Sequence, residues 1–127
     1  MTLIRHNSCT FLVLAVFWLT ARAMAETSLP PQQLFAVACG SCHGLGAQWD
    51  HRIGPPLGAL ANRPAAAVAN YPYSEALLSA NIRWTEAELV AWILDTNGRL
   101  NNTSMVYRNS LTPEETQRLS RWLLEQP

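Results

Sequence analysis

Cys39-Gly40-Ser41-Cys42-His43 constrains this chain more than any other stretch. C-x-x-C-H is the spacing at which a c-type haem is attached. Two thiols three positions apart lie on neighbouring parts of one helical turn, each able to form a thioether to one vinyl group of a haem edge. The next residue, His43, then offers a ring nitrogen to the iron as an axial ligand. A bare C-x-x-C has two other uses, a disulfide redox motif and half of a zinc site. The first needs a βαβ setting, and no strand pattern is present. The second needs a further pair of ligands, and the only other cysteine is Cys9.

Cys9 belongs to a stretch of different character. Arg5 and His6 precede an apolar run from Thr10 to Ala21, and Ala23-Met24-Ala25 supplies a small-x-small cleavage pattern. A membrane anchor is the rival reading, but spanning a bilayer takes about 20 apolar residues and Arg22 closes the run early. Residues 1–25 therefore read as an export signal, and residues 26–127 as one domain. Export suits the motif: haem attachment in bacteria follows translocation, and two thiols left bare in an oxidising space tend to form a disulfide. The expected location is the periplasm.

From residue 26 onward, seven Arg face nine Asp or Glu, a balance of −2, and the whole chain has no Lys. No basic patch points to nucleic acid, and no second long apolar run points to membrane insertion of the mature chain. A domain of this size is marginal in burying its own core. Trp49, Trp84, Trp92 and Trp122, with a buried macrocycle, are expected to fill the interior. The haem-free chain is accordingly expected to fold poorly, as far-UV circular dichroism would report.

The remaining pattern is helices and loops. Ser28 and the prolines at 30 and 31 suggest a helix entry, and Leu34, Phe35 and Ala38 form an apolar side leading into Cys39. The helix should stop at Gly44 and Gly46. From Trp49 to Asn70 the chain reads as loop. Within it, Gly54-Pro55-Pro56-Leu57-Gly58 is a stiff turn, either a plain surface turn or one that holds a carbonyl against the second nitrogen of His43. Ala65 to Ala69 suggests a short helix, and Ser74 caps another running to Ala80. Thr85 with Glu88, and Thr112 with Glu115, read as capping boxes. Leu89 to Leu94 is apolar nearly all round, predicting burial on more than one face, with Asn97-Gly98 as its C-cap. Leu119, Trp122 and Leu123 form the inner face of a last helix, while Arg118 and Arg121 face outward.

A haem held by one His has an open position, and what fills it separates electron transfer from ligand chemistry. Met105 is the one Met after residue 25, and His51 the one other His there. His51 is only eight residues from His43 and would have to wrap the macrocycle edge. Met105 ends a polar loop between two helices, from which it can cross to the far face. Packing as a gap-filler is its other use. Met105 is the favoured ligand, and His51 is expected at the surface.

The chain resembles the class I cytochromes c over essentially its whole mature length. Phe35-x-x-x-Cys39-x-x-Cys42-His43 resembles the start of that family, and Gly54-Pro55-x-Leu57 matches its Gly-Pro-x-Leu. The resemblance implies an all-α fold wrapped around one covalent haem c. It implies that the Pro55 carbonyl bonds His43, that Arg63, Tyr73 and Trp84 neighbour the haem propionates, and that Met105 is the ligand. It places Trp92 where the family usually has a Tyr near that Met. Four departures stand out. Pro31 occupies a frequent Gly position, and Asn101-Asn102-Thr103-Ser104 replaces Pro-Gly-Thr-Lys before Met105. Leu77 stands for a usual Asn, and the family's docking Lys ring is absent.

The expected function is one-electron transfer rather than catalysis, with redox proteins as donor and acceptor and electrons leaving by an exposed haem edge near Cys39 and Cys42. Val106 and Tyr107 would flank that edge. Two other functions fit the residues: a haem subunit bound to a periplasmic dehydrogenase, and a ligand-binding or sensor haem protein with a labile sixth site.

Overall fold

The computed structural model of the chain describes residues 28–46, 48, 50 and 52–127. The stretch expected to be an export signal, Trp49 and His51 lie outside them. Five helices follow in order: α1 Pro31–Ala38, α2 Glu75–Ser79, α3 Glu86–Leu94, α4 Thr96–Arg99 and α5 Pro113–Leu124. The only ladder pairing among the described residues is an isolated antiparallel bridge between Pro64 and Arg83. The fold is all-α, as the sequence implies.

The last helix organises the first and the third. α5 starts from the expected capping box: Thr112 Oγ1 accepts from Glu115 N at 3.2 Å, and Thr112 N donates to the Glu115 carboxylate at 2.9 Å. Its stripe Thr116, Leu119, Ser120 and Leu123 is buried, at the i, i+3, i+4, i+7 spacing of one helix face. That stripe packs on both α1 and α3. From α1 it meets the fully buried Leu34, and Phe35 sets its ring 5.8 Å from that of Trp122. Leu119 is 0% exposed at this three-helix junction. Leu119→Ala is expected to lower unfolding stability by about 3 kcal/mol, read from denaturant curves.

Several local expectations are corrected. Ser28 does not cap α1. Pro30 is the N-cap residue and contributes no side-chain bond, with Pro31 in the first turn, where a missing N–H costs nothing. Ser28 Oγ instead accepts from Arg118 at 2.6 Å, so Arg118 lies half-buried across the start of α1 rather than pointing outward. α1 ends at Ala38, before the glycines, and successive turns bonded to Phe35 O and Cys39 O carry the chain through the Cys-x-x-Cys-His stretch.

Residues 65–69 form turns, not a helix. Ala66 has φ 57°, which a right-handed helix excludes, and Ala65 N is tied to Ile82 O at 2.9 Å. Only half of the Thr85 box forms: Thr85 Oγ1 accepts from Glu88 N, while the Glu88 carboxylate pairs with Arg99 at 2.6 Å. Asn97-Gly98 is not a C-cap. Asp95 ends α3 and its carboxylate accepts from Gly98 N at 2.9 Å, which starts α4 instead. Burial on α3 is confined to Leu89, Trp92 and Ile93, and Leu94 is 42% exposed, so the helix is not enclosed all round.

Candidate functional site

Between α1, α3 and the two long loops lies a largely apolar cleft of about 300 Å³. Cys39, Cys42 and His43 stand along it. Leu60, Trp84 and Leu89 are part of its floor, and Met105 joins from the loop before α5. Residues far apart in sequence thus meet around one space of a size that takes small ligands and cofactors.

His43 is buried and its Nδ1–H donates to Pro55 O at 2.6 Å. Burial pulls its pKa below the usual histidine value, and the carbonyl bond only partly opposes this. The ring is therefore neutral at pH 7, and because Nδ1 carries the proton, Nε2 keeps a lone pair for a metal. The stiff turn supplies this bond through its backbone: Gly54 N is fixed to Cys42 O at 2.8 Å and Leu57 N to Gly44 O at 2.8 Å. Gly54 itself lies against the imidazole, where an added Cβ would collide with Cε1.

The two cysteines are half-buried and are not joined to each other. Burial, followed by the neighbouring Cys42, pushes the Cys39 thiol up to about 11. Among the described residues no group of three or more His, Cys, Asp or Glu is placed to hold a metal ion, so Cys39 and Cys42 have no further pair of described ligands for a zinc site.

Met105 is half-buried, and its Sδ accepts from Trp92 Nε1 at 3.1 Å. The loop leading to it takes its shape from two local features. Asn102 has φ 63°, a left-handed conformation that Asn tolerates among non-glycine residues. Thr103 Oγ1 accepts from Met105 N at 3.3 Å.

Arg63 lines another wall. Its guanidinium donates to Gly58 O at 2.7 Å and Pro56 O at 3.0 Å, while Nε is buried without a partner. Burial lowers its pKa from the ordinary arginine value, and the group remains charged. Tyr73 stands nearby, its Oη accepting from Val68 N at 3.4 Å, which leaves the phenol proton for an acceptor. An unmatched cation with an orphaned donor, beside a phenol in an apolar cleft, fits the acidic edge of a haem. Trp84 completes this wall, its ring edge-on to Trp92 with centroids 5.4 Å apart.

Thus Cys39, Cys42, His43, Pro55, Arg63, Tyr73, Trp84, Trp92 and Met105 all meet at one cleft. Tyr71 was not anticipated. Its hydroxyl donates to Ile53 O at 2.7 Å, and its ring meets Tyr73 at 4.6 Å, closing the loop over one end. Tyr71-Pro72-Tyr73 signals an extended piece, but nothing in the string names a partner 18 residues back. At the mouth, Ile53 is 78% and Val106 95% exposed, whereas Tyr107 is half-buried with its hydroxyl bonded to Asn109.

The cytochrome c family profile matches residues 30–127, and the chain belongs to that family of electron carriers. It is 38% identical to cytochrome c-550 of Nitrobacter winogradskyi over 69 residues, which are 54% of this chain and 63% of that relative. It is 29% identical to cytochrome c of Chlamydomonas reinhardtii over 81% of this chain and 92% of the other. Among solved structures, cytochrome cH from Methylobacterium extorquens superposes with a TM-score of 0.66 at 24% identity, covering 73% of this chain and 92% of that one. The likeness of fold extends the one read from sequence, and the Cys39/Cys42 pair fits the covalent haem c attachment of the family.

Proposed function

We propose that the chain carries single electrons on one haem c joined to Cys39 and Cys42, with His43 and Met105 as axial ligands, in the periplasm after removal of residues 1–25. The observation that carries this reading is the pairing of a neutral imidazole, oriented by Pro55, with a thioether on the same cleft. When bound, the haem supplies a ferric/ferrous couple, which a thioether ligand shifts toward higher potential.

The chain's own residues supply attachment, orientation and charge. The thiols of Cys39 and Cys42 would hold the haem, each through a thioether to one vinyl group. Arg63 and Tyr73 offer donors to the propionates, so the charge of the acidic edge is met inside the protein. The apolar floor at Leu60, Trp84 and Leu89 excludes water, which keeps reorganisation small as an electron passes. No helix among the described residues is long and apolar enough to cross a membrane. Donor and acceptor are redox proteins that meet the mouth of the cleft, where Ile53 and Val106 stand exposed. The same two apolar residues favour a second reading, a lasting contact with a periplasmic dehydrogenase, for which co-purification of a second polypeptide is the test.

The deciding experiment is an optical spectrum, oxidised and reduced, with an intact mass, on protein matured by a haem-attachment system. The expected result is a c-type spectrum with sulfur-to-iron charge-transfer absorption and a mass raised by one haem. A colourless product with the mass of the polypeptide alone overturns the proposal.

A further inference from the structure

Residues 105–110, which lead from the Met105 loop toward α5, run extended, without a turn or a bend. Exposure alternates along them and the next residue: Met105, Tyr107, Asn109 and Leu111 are half-buried, while Val106, Arg108 and Ser110 are exposed. That is the period of two of a β-strand with one face on the protein. Side chains fix the inner face. Tyr107 Oη donates to Asn109 Oδ1 at 3.2 Å, and the Asn109 side-chain amide accepts from Leu111 N at 3.1 Å and donates to Leu111 O at 3.0 Å. The backbone between is open: among the described residues, no N–H or C=O of residues 106–110 has a hydrogen-bond partner. Buried backbone groups are almost always paired, so this row faces water. The segment also borders the cleft, which Met105, Val106 and Tyr107 line.

We propose that this open edge is where a redox partner docks, by laying an extended segment of its own backbone beside residues 106–110. The proposal rests on the electron-carrier reading above and adds how the partner is recognised. An unpaired strand edge is a template for another chain, usually blunted by Pro or Lys, and residues 105–110 contain neither. Backbone bonds supply the pairing, and outward side chains supply the choice. Val106 and Arg108 lie two apart on one face, and Arg108 is in none of the ion pairs among the described residues. The matching segment therefore sets an apolar residue opposite Val106 and a carboxylate opposite Arg108. A second copy is a poorer occupant, because antiparallel pairing centred on this segment would put Arg108 opposite itself.

The test uses nitrogen-labelled, reduced, mature holoprotein and a capped synthetic heptapeptide that alternates threonine with valine and carries glutamate at the central valine position. A second peptide has lysine in place of that glutamate. The expected result at millimolar peptide is amide shifts confined to residues 105–111, with exchange slowed at alternate amides of 106–110. The lysine peptide should bind about fivefold more weakly. Arg108→Gln should abolish that preference and keep the slowed exchange, because the backbone bonds remain. No shifts, or shifts at Ile53 and the cysteines with none at 106–110, overturn the proposal. Equal binding of the two peptides by the unaltered protein overturns the match to a carboxylate. Shifts at 106–110 that grow with protein concentration, without peptide, give the edge to a second copy and overturn it as well. The readout is amides rather than the haem, so these failures leave the carrier reading standing, whereas a colourless starting protein overturns that reading before any peptide is added.

Discussion

Met105→Ala should leave a covalently attached haem that, once reduced, binds carbon monoxide rapidly, whereas the unaltered protein resists it. The midpoint potential should fall by on the order of 0.1 V, since axial ligand choice spans about 0.8 V across haem proteins. Two local costs go with the change. The thioether leaves, and the buried Trp92 N–H loses its acceptor, which costs about 1–3 kcal/mol. Thiol attachment does not involve Met105, so haem incorporation and the mass gained on attachment should be unchanged. Stopped-flow mixing with carbon monoxide and a redox titration measure both effects. A reduced wild-type protein that takes up the gas as quickly as the variant would make this chain a ligand-binding haem protein instead of a carrier.

How far the site could be read from the residues depended on the range over which each signal acts. The attachment motif is local: five consecutive residues carry its chemistry, and the turns through Cys39 and His43 follow from that spacing. The α5 capping box was equally legible, because its two bonds join residues three apart. The Met105 loop was harder. Three of the four residues before Met105 differ from the resembled pattern, and Asn102 adopts the left-handed conformation while Thr103 Oγ1 accepts from Met105 N, so different side chains supply the turn.

The errors arose where tertiary bonds outweighed local propensity. A run of alanines favours helix, but residues 65–69 are claimed by the bridge between Pro64 and Arg83 and by the left-handed Ala66. Asn97-Gly98 resembles a helix stop, but Asp95 uses the Gly98 amide to begin another turn. Glu88 could have completed a capping box, and instead it pairs with Arg99 eleven positions on. The Tyr71 bond to Ile53 and the Arg63 bonds to two backbone carbonyls belong to the same class. Each joins a side chain to a carbonyl whose position is set by the folded loop, and no string of residues announces such an acceptor.

Gly54→Ala should have the second large effect, and it acts through sterics alone. The added methyl would press on His43 Cε1 and lie 2.6 Å from Nδ1, well inside contact distance. The ring cannot simply tilt away. Its Nδ1–H is held by Pro55 O, and the Gly54 amide is itself bonded to Cys42 O, so the methyl and the imidazole are fixed on opposing pieces of one tight loop. Either the loop opens or the imidazole turns and loses its carbonyl. Overpacking of this kind costs about 1–3 kcal/mol, and loss of the orienting bond adds about 1 kcal/mol. The variant should therefore keep its thioether-bound haem but show a mixed or weakened histidine-ligated spectrum and a lower denaturation midpoint. A control at Ala59, which does not line the cleft, separates ligand displacement from general loop damage. Ala59 already has φ 49°, so Ala59→Gly relieves a strained backbone and should raise stability by about 1 kcal/mol without altering the spectrum. If Gly54→Ala retains both the unaltered spectrum and the unaltered midpoint, the close packing of the turn on the imidazole does not hold in solution, and Pro55 loses its assigned part in orienting the ligand.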